Sequence, residues 1–186
     1  MNRISFITHF AAAIIITIVL LLIYASVQQS YRTAANDPQL QIARDISNAL
    51  NEDKSIKNLL PADTIDIAES LGLFTEIFDR NGKPIQSTGL LNGSAPQPPQ
   101  GIFNFTKAND EDILTWQPQK DVRMAMVFEK VNSPYVGFVA AGRSLKETEV
   151  RESNLIKMIG IAWIACMGVL LLHFLVQVYL SKRIAK

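Results

Sequence analysis

Two long apolar blocks without a charged side chain, residues 6–27 and 158–180, bracket everything else in this chain. They hold 22 and 23 residues. At a rise of about 1.5 Å per residue, helices of that length cross a hydrocarbon core of about 30 Å. The segment between them is enough for one modest core and not for two. The blocks are therefore expected as membrane spans, a first transmembrane helix over 6–27 and a second over 154–180; the alternative for the first, a cleaved signal peptide, fits less well with so long an apolar run and the poor cleavage site at Tyr24-Ala25-Ser26. Residues 1–5 and 181–186 then project beyond them, with one folded domain over 28–153.

Charge orients the arrangement. Arg3 precedes the first block, and Lys182, Arg183 and Lys186 follow the second. Basic residues next to a span favour the cytoplasmic side, so both termini are expected in the cytoplasm of a two-pass cell-membrane protein and the central domain outside. Residues 31–152 carry 13 Lys and Arg against 17 Asp and Glu, so the domain is mildly acidic and has no nucleic-acid footprint.

Cysteine and histidine limit the chemistry. The only Cys, Cys166, and both histidines, His9 and His173, lie in the apolar blocks. The central domain therefore has no disulfide, no Cys- or His-based metal site and no Cys–His or Ser–His pair. No cofactor motif is present either, and an enzyme is not expected. His173 and Gln177 are four residues apart and share a helix face. Lipid cannot satisfy such groups, so they are expected to hydrogen-bond the other span, with a proton or ion path as the sharper alternative. His9 and Gln177 lie at similar depth and are expected to approach, with His173 one turn deeper.

Within the domain, Asp37-Pro38 reads as a helix start, with Asp37 as cap and Pro38 at the first helical position. Leu40, Ile42, Ala43, Ile46, Ala49 and Leu50 then recur at helical spacing to about residue 51, before a polar stretch over 51–55. A shorter helical piece is expected around 65–71. Strands are expected over 73–79 and 83–88, joined at Asn81-Gly82, whose positive φ angles suit a hairpin. A Gly- and Pro-rich loop over 89–101 leads to a short helix over 101–108. Strands over 112–117, 122–131 and 135–141 follow, the last two separated at 132–134. Asp110-Glu111-Asp112 reads as a solvated loop or a weak cation site. Short connections imply antiparallel pairing, with 122–131 between its two neighbours. The fold class is α+β: a five-stranded antiparallel sheet with a long N-terminal helix on one face, flanked by two transmembrane helices.

Ser144-Leu145-Lys146-Glu147 has the form of a capping box, with Ser144 and Glu147 as its reciprocal pair. No Gly or Pro follows before Gly160, so one helix is expected from 145 to 180.

This layout resembles the PAS-like extracytoplasmic (PDC, or single Cache) sensor domains of bacterial histidine kinases and chemoreceptors. The run from Phe74 through Asp79-Arg80-Asn81-Gly82 to Ile85 resembles that fold's opening hairpin. The run from Gly137 through Arg143-Ser144-Leu145 resembles its last strand entering the exit helix. The resemblance covers the sensor half alone, without the cytoplasmic output domain. It implies a pocket between sheet and loop-helix for a small molecule or a partner protein, and dimerisation through the N-terminal helix. The expected pocket lining is Trp116, Arg123 and Tyr135 with Phe103 and Phe105, where an Arg beside aromatics can clamp a carboxylate or stack on a ring. The alternative is that Trp116 and Tyr135 are cross-strand residues and Arg123 is solvated. On this reading the chain is a membrane-anchored sensor-like module that signals through its second span to a cytoplasmic or membrane partner. The alternative is a non-sensing structural or interaction protein of the cell envelope.

Overall fold

The computed structural model describes residues 3–52, 56, 59–132 and 135–184. The expected polar stop over 51–55 and the break over 132–134 fall partly outside the described residues. The chain is α+β. Its elements are α1 (Arg3–Asn51), β1 (Ile65–Asp66), β2 (Leu73–Asp79), β3 (Pro84–Ser87), β4 (Gly89–Leu90), α2 (Gln100–Asn109), β5 (Glu111–Gln119), β6 (Val122–Val131), β7 (Gly137–Ser144) and α3 (Lys146–Ile184). They divide into two compact units, residues 32–149 and the paired chain ends 1–31 and 150–186. Both α1 and α3 contain a segment long and apolar enough to cross a membrane.

Five strands form one antiparallel sheet in the order β3-β2-β7-β6-β5. As the sequence implies, β6 is an inner strand, pairing with both β5 and β7. β7 lies at the centre, held by β2 on its other side from Leu73↔Arg143 to Asp79↔Gly137. Alternation along these strands sends side chains to two cores. On one face Ala43, Ile46 and Leu50 of α1 pack against Ile77, Val127, Val131 and Val139. On the other, Phe103 of α2 meets Phe78, Phe128 and Phe138 at ring distances of 4.9, 5.8 and 5.3 Å. Rings in tilted and edge-on contact contribute beyond the area they bury.

Three local expectations are corrected. Helix α1 does not restart at Asp37: it runs through Pro38. Proline has no N–H for the carbonyl one turn back and crowds it, which costs about 3 kcal/mol in a helix interior. What sustains the helix is burial, because Gln39, Ala43, Ile46, Ser47 and Leu50 recur at helical spacing and are all buried. The Gln39 side chain also donates to the Ala35 carbonyl at 2.6 Å. The segment 65–71 is not helical. Ile65 and Asp66 pair in parallel with Gly89 and Leu90, and a turn follows in which the Ala68 amide donates to the Asp66 carboxylate at 2.9 Å.

The hairpin at Asn81-Gly82 forms, but only Gly82 takes a positive φ, +78°. The Gly82 amide donates to the Asp79 carbonyl at 3.0 Å and the Asp79 amide to the Lys83 carbonyl at 2.9 Å. That is a three-residue loop with a left-handed glycine in place of a two-residue turn. The Asp79 carboxylate accepts from the Asn81 and Lys83 amides, each at 2.8 Å, and these bonds hold it below the usual carboxylate range.

Candidate functional site

On the sheet face beneath α2, residues of even number along β2 point inward: Phe74, Glu76 and Phe78 are all buried. Glu76 pairs across the sheet with Ser87 on one side and Ala140 on the other, with Phe128 next in the row. Its side chain is fully buried, and neither carboxylate oxygen has a hydrogen-bond partner among the described residues. The nearest candidate donor, the Ser87 hydroxyl, turns to the Gly89 carbonyl at 2.7 Å. Burial disfavours the charged form and outweighs the opposing pull of the nearby Ser87 hydroxyl, so the Glu76 carboxyl is pushed up to about 9. At neutral pH it is a protonated acid inside an aromatic core.

The five residues expected to line a pocket are not brought together. Phe103 is buried at the centre of the α2-side core, and Trp116 packs partly buried against the same cluster. Phe105, two residues along α2, is exposed. Tyr135 packs against the opposite, α1-side cluster. Its hydroxyl donates to the Phe78 carbonyl at 2.7 Å, and burial pushes its phenol up to about 12. Arg123 follows Val122 on the alternating strand and so faces away from the Phe103 side. It is exposed and bonded to the Glu149 carboxylate.

The face under α1 carries an ion-pair cluster. Arg44 donates to Glu111 at 2.7 Å and to Glu129 at 3.2 Å. The two acids are register partners on β5 and β6. Burial and the neighbouring Glu111 push Glu129 up to about 7, against the pull of Arg44. Burial works against ionisation of Glu111 too, yet its bonds with Glu129 and Arg44 hold it below the usual range. The cluster fastens α1 across two strands. Asp110 pairs with Lys130 at 2.7 Å, so two of the three acids expected in a solvated loop are committed to ion pairs.

At the start of α3 the cap is displaced by one residue. The helix begins at Lys146, and the Ser144 hydroxyl accepts from the Lys146 amide at 3.3 Å. The Leu145 amide donates to the Arg123 carbonyl, and the Glu149 amide closes the first turn on the Leu145 carbonyl, both at 2.9 Å. Glu147 lies 3.8 Å from Arg143.

In the unit formed by the chain ends, the three polar residues singled out in the apolar blocks meet. His9 Nε2 is 3.0 Å from His173 Nδ1, and Gln177 Nε2 is 3.4 Å from the other nitrogen of His173. His173 is thus the link between His9 and Gln177. Beside His9 lies an apolar groove of about 290 Å³ lined by Phe6, Phe10, Ala13, Met167, Leu170 and Phe174. Further along, the Trp163 indole donates to the Thr17 hydroxyl, a bond not anticipated from sequence.

Comparison with protein-family models and with curated proteins finds no match to this chain.

Proposed function

We propose that the chain is a membrane-anchored, non-enzymatic sensor-like module of the PAS-like extracytoplasmic kind, with both termini cytoplasmic and the sheet domain outside. It responds to a small molecule or a partner protein and passes the change along α3 to a cytoplasmic or membrane partner, acting as a homodimer. The observation that carries this reading is the connection of β7 to α3. β7 is the central strand, and a single residue, Leu145, separates it from a helix that includes an apolar stretch of spanning length. A shift of the sheet is thereby joined covalently to the helix that carries that stretch. The order of hairpin, loop-helix and three strands also agrees with the resemblance drawn from Phe74–Ile85 and Gly137–Leu145.

The test has two arms. A reporter placed after Lys186 should be active only in the cytoplasm, and one inserted at Asn92 only outside. Fused to a histidine-kinase output, the chain should make kinase activity depend on what the domain meets. The opposite reporter pattern, or an output indifferent to every condition applied outside, would overturn the reading.

A second reading, a non-sensing structural protein of the envelope, draws on the close packing of the Phe78, Phe103, Phe128 and Phe138 rings. Sensing would require that packing to open.

A further inference from the structure

Evolution can place a carboxyl in an aromatic core at little cost only if something repays its two unsatisfied oxygens. Glu76 is fully buried with both oxygens unpartnered among the described residues. Phe74 and Phe78 flank it along β2, and the Ala140 methyl separates it from Phe128 across the sheet. Apart from the Ser87 hydroxyl on β3, these walls are rings and methyl groups. Magnesium and calcium take shells of several oxygens, which this surface does not offer. Aromatic faces around one carboxylate suit an organic cation, whose charge meets the acid and whose alkyl groups meet the rings.

Helix α2, which lies against β5 and β6, rests on the sheet through few side chains. Helix α2 has ten residues, and its N-cap residue, Pro99, makes no side-chain capping bond. Only Phe103 and Thr106 of α2 are buried. Lifting the Phe103 ring would open a space bounded by Phe78, Phe128 and Phe138, all of which it now touches. We propose that Glu76 anchors a binding site for a small monovalent organic cation of the ammonium type, entered when α2 lifts Phe103 off the sheet. This rests on the sensor reading and supplies its ligand class.

The charged groups on this side are few. Asp112 ends the row at β5, Lys130 is paired with Asp110, Lys107 of α2 is exposed, and Asp66 accepts from the Ala68 amide. Burial keeps the Glu76 proton on up to about pH 9. The cation needs the carboxylate, so binding expels that proton to solvent. Affinity should then rise roughly tenfold per pH unit from 6 to 8.

The experiment is calorimetry on the full chain in lipid nanodiscs. The probes are methylammonium, choline and 3,3-dimethyl-1-butanol, the neutral isostere of choline. Titrations in two buffers of different ionisation enthalpy count the protons released. At least one cation should bind, release about one proton per chain, and bind tenfold more tightly at pH 8 than at pH 7. The neutral isostere and the Glu76→Gln variant should show at least a tenfold loss. No binding by either cation, binding without proton release, or full binding by Glu76→Gln would overturn the proposal. If that variant does not fold, the proton count on the wild-type chain decides. Because binding is read directly, a site that fails to signal and a signal that lacks this site are told apart.

Discussion

The Trp163 indole donates to the Thr17 hydroxyl at 2.9 Å, and that hydroxyl donates in turn to the Ala13 carbonyl at 2.8 Å. One side chain of α1 thus accepts from α3 while remaining tied to its own helix. With the His9–His173 contact it links the apolar ends of the chain through polar side chains. If both segments span a membrane as proposed, no hydrophobic drive operates between them, and each such link is worth about 0.6–2 kcal/mol.

That pairing is testable by crosslinking. In a Cys166→Ala background, cysteines at 17 and 163 should be joined by a short bifunctional thiol crosslinker, which spans the room the indole now fills and keeps the two halves together after proteolysis of the central domain. A control pair at 15 and 163, where Ile15 is 61% exposed, should crosslink far less. Equal yields from both pairs would remove the interhelical contact.

Glu76 gives the domain a distinctive pH dependence. Its carboxyl is raised by burial from an ordinary value near 4.5 to about 9 in the folded state. The unfolded chain ionises first, so the stability associated with this group is fully present below about pH 4.5. It is lost at about 1.4 kcal/mol per pH unit as pH rises toward 9. Gln is a close mimic of the protonated acid. Glu76→Gln should therefore match the wild type near pH 5 and exceed it by several kcal/mol at pH 9, read from urea midpoints. Parallel pH profiles for the two proteins would mean that Glu76 finds a partner in solution.

How much of this was legible from sequence depends on the kind of signal. Alternation and turn residues located all five strands of the main sheet, including the inner position of Val122–Val131, because most strands repeat an apolar face and the short β3 follows directly from the Asn81-Gly82 turn. The start of the exit helix was legible to within one residue for the same local reason. Pro38 misled, because local chemistry favours a helix start there and only burial of Ala43, Ile46 and Leu50 against the sheet carries the helix through. Ile65–Asp66 was missed because its partner, Gly89–Leu90, lies in a Gly- and Pro-rich stretch. The pocket residues were chosen by type, as aromatics near an Arg, and alternation places Phe103 and Tyr135 in different cores. Glu76 did leave a signal. It shares the parity of Phe74 and Phe78, and an acid two residues from aromatics on both sides of a strand must either break the pattern or be buried with them.

Two glycines separate backbone strain from packing. Gly82 and Gly93 have φ of +78° and +79°. A Cβ on Gly93 meets open space, whereas one on Gly82 would lie 2.7 Å from the Phe103 ring. Gly93→Ala should cost about 1 kcal/mol for the left-handed backbone alone. Gly82→Ala should cost a further 1–3 kcal/mol, because it displaces the ring at the centre of the α2-side core. Equal urea midpoints for the two variants would show that Phe103 yields freely.

The joint between β7 and α3 decides whether the second apolar helix transmits or merely tethers. Three contacts define its geometry: the Ser144 hydroxyl on the Lys146 amide, the Leu145 amide on the Arg123 carbonyl, and the Arg123–Glu149 ion pair. Gly-Gly at positions 146 and 147 keeps all three, because the first uses only the backbone amide of residue 146 and the others lie outside the substituted positions. It removes only Glu147, 3.8 Å from Arg143, among the ion-pairing groups. The substitution lowers helix propensity by about 2 kcal/mol in the first turn, against couplings between sites that are typically 1–3 kcal/mol. The domain should stay folded and inserted, since β7 keeps both sheet partners and the apolar stretch is untouched. Its control of a fused kinase output should fall away, while circular dichroism and membrane fractionation remain as in the wild type. An undiminished kinase response in the Gly-Gly chain would show that the first turn of α3 carries no signal and that the helix serves as an anchor.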